Sequence, residues 1–302
     1  MSGGIYWLAS YPKSGNTWMR AFIANLRNEQ PEEIDINEIN TGAIASSRGW
    51  IDEALGFDSS DLSHDEIDLL RPNVYRWYVS QAEGLEYHKT HDAYTILPNG
   101  KPMIPADATT GALYLVRNPL DVAISFAHHN NCSIDRSIEN MGAPDFKFCG
   151  NPNRLDKQLR QRLLSWSGHI LSWADATDLN RLVVRYEDMK LNPLATFTQV
   201  AEFLQLPTER EQIEDALEKC AFDKLQQQEK EKGFNEKSPK HKSFFRKGIV
   251  GDWQETLTTE QIERIVTDHH VVMRRFGYLD AEGNPLTHPV TLEALQQGIV
   301  QP

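Results

Sequence analysis

Residues 5–10, IYWLAS, form a short apolar run that ends in YPKSGNT, and residues 18–26, WMRAFIANL, then take up helical apolar spacing. A buried strand feeding a helix through a short turn ties the start of the chain to an α/β architecture. It also leaves the first N–H groups of the helix without intrahelical partners, at the positive end of the helix dipole. The turn places Lys13, Ser14, Gly15, Asn16 and Thr17 at that point. A glycine permits close approach of the backbone, a lysine adds a full charge and two hydroxyls add donors, so the turn reads as a cradle for a phosphate or sulfate. A surface turn with a solvated lysine would carry the same residues. The nucleotide-binding pattern GxxxxGK[ST] is absent, because lysine precedes serine and glycine here, and this disfavours a metal-dependent ATPase.

Further apolar runs at 112–116 (ALYLV) and 181–184 (RLVV) predict two more buried strands. Helices are expected at 63–70, 74–83, 120–129, 155–176, 193–204, 209–219 and 258–276. Residues 130–153 and 226–247 read as loops, and the tail 279–302 as irregular. Strands alternating with helices predict one α/β domain spanning 1–302, with its core in 5–276. Its centre is a parallel sheet covered on both faces, a three-layer sandwich like that of nucleotide kinases and P-loop NTPases. The chain of 302 residues, 40% hydrophobic, can bury such a core without staples. A net charge of −12 argues against a nucleic-acid partner. Three cysteines, Cys132, Cys149 and Cys220, with no CxxC, point away from a disulfide framework or metal site. No basic leader and no long apolar span are found, so a cytoplasmic location without a membrane span is expected.

Three other segments extend the anion theme. YLVRNPLDVAISFAHH (114–129) puts Arg117 at a strand end and Ser125 in the following helix. Arginine suits phosphate through paired hydrogen bonds, and an Arg117–Asp121 structural pair is the alternative. FFRKGIVGDW (244–253) sets Arg246 and Lys247 before Gly248, and RYED places Tyr186 after a strand. With YPKSGNTW, these segments resemble the cytosolic-type sulfotransferases, which use 3′-phosphoadenosine 5′-phosphosulfate (PAPS), over about residues 5–276.

The resemblance implies the following roles. Residues 13–17 hold the 5′-phosphosulfate. Arg117, Ser125, Arg246, Lys247 and Gly248, next to Phe245, hold the 3′-phosphate. Trp18, Tyr186 and Phe222 hold the adenine, with a core role for Trp18 and Phe222 as the alternative. Phe222 follows Cys220 and Ala221, where many members carry Thr-Ser. Of ten histidines, the KTH element at 89–91 selects His91 as general base. Lys89 would bind sulfuryl oxygens and Lys13 would meet charge on the leaving phosphate. Ser125 would hydrogen-bond Lys13 when no acceptor is bound. No metal is implied.

The expected activity is transfer of a sulfuryl group to a hydroxyl or amine of a small-molecule acceptor, releasing adenosine 3′,5′-bisphosphate (PAP). A kinase-like phosphotransferase using ATP and an inactive nucleotide-binding protein are the alternatives, and a homodimer is left open. Residues 28–85 and 130–155 match no pattern and would form the acceptor pocket. There Trp50, Phe57, Tyr75, Trp77 and Tyr78 could line it or be mixed core and surface.

Overall fold

This computed structural model describes residues 3–237 and 243–290. Pro239, His241 and the tail from 291 lie outside the described residues. β1 (Gly4–Ser10), β2 (Leu85–Thr90), β3 (Thr109–Val116) and β6 (Arg181–Arg185) form one sheet in the order β2-β1-β3-β6. Every neighbouring pair is parallel. β4 (Lys147–Phe148) and β5 (Gln161–Arg162) form a separate antiparallel ribbon.

The two-residue period of β1 and β3 sorts their side chains into two cores. Ile5, Trp7, Ala9, Ala112 and Tyr114 face one side. There they meet α2 (Arg48–Leu55), α3 (His64–Gln81), α4 (Pro119–Asn130), α5 (Ile134–Gly142), α6 (Trp166–Ala174), α11 (Trp253–Thr256) and α12 (Thr259–Arg275). Tyr6, Leu8, Leu113 and Leu115 face the other. Against them pack α1 (Asn16–Leu26), α7 (Tyr186–Leu191), α8 (Pro193–Phe203), α9 (Arg210–Lys219) and α10 (Phe222–Lys232). β1 is buried along its whole length, as expected of a central parallel strand apolar on both faces. Among the described residues no helix is long and apolar enough to cross a membrane.

Four sequence expectations need correction. Residues 63–70 and 74–83 belong to one helix, α3, which continues through Pro72. A capping box between Ser63 and Glu66 starts it, and Ile67, Val74 and Tyr75 keep one buried face across the proline. Residues 130–153 are not a loop throughout: Ser133 caps α5, which buries Ile138 and Met141. The helix expected at 155–176 is only α6, because Leu164 takes a left-handed φ of 59° and Ser165 caps the turn after it. α10 extends to Lys232 into the stretch read as loop, and Gly233 at φ 77° ends it. Its polar exterior hides a narrow buried stripe of Leu225, Gln228 and Glu229. β2 was not anticipated, since an edge strand reading LEYHKT lacks a continuous apolar run.

Candidate active site

All four parallel strands run in one direction, so their carboxyl ends open onto a common crevice. β1 ends at the 11–15 turn, β2 at His91, β3 at Arg117 and β6 at Tyr186. Side chains from each of these ends line one cavity of about 690 Å³. Eight lysines and arginines line it against three carboxylates, in a chain whose net charge is −12. A cavity of that balance favours a polyanion.

The turn after β1 is shaped for this. Lys13 has φ 71° and Gly15 φ 99°, and left-handed residues in a turn direct backbone N–H groups into a concavity. α1 starts at Gly15 with no side-chain cap and no acid in its first turn. Glycine is required at 15 twice over, because a Cβ there would lie 2.7 Å from Cδ2 of Tyr186. Asn16 donates from Nδ2 to the Leu8 carbonyl (2.8 Å) and to Ser10 Oγ (3.2 Å), so its side chain ties the turn to β1. Ser14 is fully buried, and its Oγ has no hydrogen-bond partner among the described residues. Alone among the residues expected in the site, it does not line the cavity. Lys13 has no carboxylate partner among the described residues. Its Nζ lies 4.0 Å from the centroid of the Phe244 ring, and no hydrogen bond joins it to Ser125, which lines the same cavity. Burial, then the charges of Arg117 and Lys89, bring the Lys13 pKa down to about 8.

Arg117 joins the segments that the sequence keeps far apart. It donates to the carbonyls of Lys13 (3.2 Å) and Ile249 (3.0 Å) and lies 4.3 Å from the centroid of the Tyr186 ring. Its Nε is buried without a partner among the described residues. Asp121, 3.8 Å from Arg117, accepts from the N–H groups of Gly251 and Trp253 and so anchors the 245–253 loop. The structural pairing and the ligand-facing position therefore coexist in Arg117. Asp252 gathers Arg246 and Lys247, each at 2.5 Å. Gly248 has φ 61°, and a Cβ there would come within 2.4 Å of the Phe222 ring. Tyr186 donates to its carbonyl (3.2 Å). Trp18, Tyr186, Phe222 and Phe245 supply ring surface to the cavity.

His91 follows β2. Its Nδ1 is 2.8 Å from the Ser10 carbonyl, which can only accept, so Nδ1 carries the proton and Nε2 is the basic nitrogen. Burial first, and then the charge of Lys89, hold its pKa well below the usual histidine range. His169 is fully buried, and its Nε2 donates to the His91 carbonyl (3.0 Å). Tyr114 donates to its other nitrogen (2.8 Å). Lys89 pairs with Glu236 (3.0 Å), which also pairs with Arg20 (2.5 Å). Both cations bring the Glu236 pKa to about 2 against the opposing effect of burial.

Arg20 and Glu236 were missed by sequence reasoning. Arg20 sits one helical turn beyond Thr17, a spacing that could have revealed it. Glu236 lies in a stretch with no periodicity. Of the aromatic residues at 50–78 none lines the cavity: Tyr75 is core, Phe57 and Trp77 are exposed, and Trp50 stacks on His88. Gly42, Ile44, Phe148, Gln158 and Gln161 line it instead.

Comparison with known proteins follows the same geometry. The sulfotransferase-domain profile matches residues 5–277. A cytosolic sulfotransferase of Arabidopsis thaliana is 25% identical, covering 86% of this chain and 71% of the relative. A flavonol 3-sulfotransferase of Flaveria bidentis is 27% identical, covering 85% and 78%. Among solved structures, a mouse sulfotransferase complexed with PAP is similar at a TM-score of 0.57 and 20% identity, covering 90% of this chain and 84% of the other. Retinol dehydratase complexed with retinol and PAP is similar at 0.58 and 19%, covering 89% and 81%.

Proposed function

The chain belongs to the sulfotransferase-domain family, and from that premise we propose that it transfers the sulfuryl group of PAPS to a hydroxyl or amine of a small acceptor, with His91 as general base. The cavity suits PAPS by its cationic lining, by the positions where only glycine fits, and by the Nε of Arg117 that has no partner among the described residues. When bound, PAPS supplies an activated sulfuryl group, whose bond to the phosphate oxygen breaks as the acceptor atom bonds to sulfur.

The chain's own residues divide the remaining work. Backbone N–H groups of 14–17 and the hydroxyl of Thr17 would hold the 5′ end. Arg117, Ser125, Arg246, Lys247 and Gly248, beside Phe245, would hold the 3′-phosphate. Trp18, Tyr186 and Phe222 would hold the base. His91 is neutral near pH 7 and can take the acceptor's proton on Nε2. Lys13, with a pKa of about 8, is still mostly ammonium there and can meet negative charge on the departing phosphate. Lys89, steadied by Glu236, would face the sulfuryl oxygens.

The observation carrying this reading is that the separate 13–17 and 246–248 segments reach one cavity containing His91 and Lys89. PAPS labelled in its sulfuryl group, incubated with the protein and a panel of phenols, alcohols and amines, tests it. Label appearing on an acceptor with stoichiometric PAP is expected. Release of label only as inorganic sulfate, or phosphate transfer from ATP instead, would overturn the reading.

A further inference from the structure

Gln161 on β5 is 2% exposed and lines the cavity, yet its Oε1 has no hydrogen-bond partner among the described residues. A buried carbonyl left unpaired costs stability, and such a group at a cavity wall suits a ligand that supplies the missing donor. The amide is not adrift. Its Nε2 donates to Gln158 Oε1 at 2.7 Å, and in this arrangement Oε1 is the atom left over. Gln158 is itself held by a bridge to Ser47.

The position relative to the reaction centre is also built. The next residue, Arg162, donates its backbone N–H to Asp92 Oδ1 (2.9 Å) and accepts from the N–H of Ala93 (2.7 Å). β5 is thereby pinned to the segment that begins at His91. Across the ribbon, Phe148 is the register partner of Gln161 and also lines the cavity. The Phe126 ring backs it with centroids 5.7 Å apart. A flat apolar wall and an unmatched acceptor atom thus stand side by side near His91.

Resting on the sulfotransferase reading, we propose that Gln161 selects acceptors with an apolar ring body and a second, uncharged hydrogen-bond donor besides the group that is sulfated. The amides of Gln158 and Gln161 carry no charge and lysines and arginines dominate the cavity lining, so the position suits a hydroxyl or neutral N–H better than an ammonium. An acceptor lacking it leaves Oε1 buried and unmatched, which costs about tenfold or more in affinity.

The test measures binding of a naphthol and of the dihydroxynaphthalene isomers by calorimetry, with and without PAP, to the wild type, Gln161→Met and Gln161→Glu. Methionine keeps volume and removes the polar atoms, while glutamate keeps an acceptor oxygen. At least one dihydroxy isomer should bind the wild type about tenfold tighter than the naphthol. Gln161→Met should lose that preference and bind the naphthol more tightly than the wild type does, because the unmatched oxygen is gone, and Gln161→Glu should retain it. PAP affinity, read in the same titrations, should be equal in all three proteins. No preference in the wild type, or a preference surviving in Gln161→Met, overturns the proposal. Failure of PAP to bind the wild type is a separate result that strikes the sulfotransferase reading instead.

Discussion

One end of the cavity is made by turns that leave sheet strands directly: Lys13 after β1, Arg117 after β3 and Tyr186 after β6. Near the β4–β5 ribbon the wall is made by Phe148, Gln158 and Gln161, held by contacts to Ser47 and Asp92 from distant parts of the chain. The end proposed to face the nucleotide inherits its rigidity from the central sheet. The ribbon end takes its shape from short elements and long-range hydrogen bonds. A common donor molecule can be served by the first, while the second can be altered without disturbing it.

If this division holds, substitutions at the junction, the nucleotide end and the ribbon end should separate cleanly. His91→Ala sits at the junction and should have the largest effect, lowering kcat by about a thousandfold, as loss of a general base does, with PAP affinity within twofold of wild type. Steady-state kinetics beside calorimetry would show it. Lys13→Met should lower kcat about a hundredfold and also weaken PAP. Arg246→Ala should weaken PAP by about tenfold to a hundredfold and leave 5′-AMP almost unchanged, since the proposed role of Arg246 is a charge-assisted contact to the 3′-phosphate alone.

The pH dependence belongs to the nucleotide end. The Lys13 pKa is lowered to about 8, so its ammonium is intact below that pH and is lost as pH rises through it. PAP affinity should therefore fall above about pH 8, at most about tenfold per unit for one proton, and Lys13→Arg should abolish that fall because arginine stays charged. The smallest effect is expected at the ribbon. Phe148→Ala should raise acceptor KM by up to about tenfold while PAP affinity stays constant. A Phe148→Ala protein that lost PAP binding would show that the two ends are coupled.

The same division explains what could be read before the fold was seen. The 13–17 turn, Arg117, the 245–248 loop and the strands at 5–10 and 112–116 are local in the chain, so spacing and residue type announce them. Gln161 carries no such signal, because a glutamine becomes informative only once burial and a missing partner are known. Glu236 and Arg20 likewise acquire meaning through each other and Lys89, across a long stretch of sequence. Ser14 shows the opposite case. It fits the motif by residue type, but its side chain points into the protein. The helix expected at 155–176 and the loop expected at 226–247 failed for a related reason: α6 is delimited by Leu164 and Ser165, and α10 is held by buried polar groups such as Gln228 and Glu229.

Two clusters gripping opposite ends of one nucleotide is the idea on which the rest depends. Dissociation constants of PAP, 5′-AMP and 3′-AMP for the wild type, Lys13→Ala and Arg246→Ala address it. Lys13→Ala should weaken PAP and 5′-AMP but spare 3′-AMP, and Arg246→Ala should weaken PAP and 3′-AMP but spare 5′-AMP. If either variant weakened all three ligands equally, or neither weakened PAP, the two clusters would not be holding the same molecule in the way described.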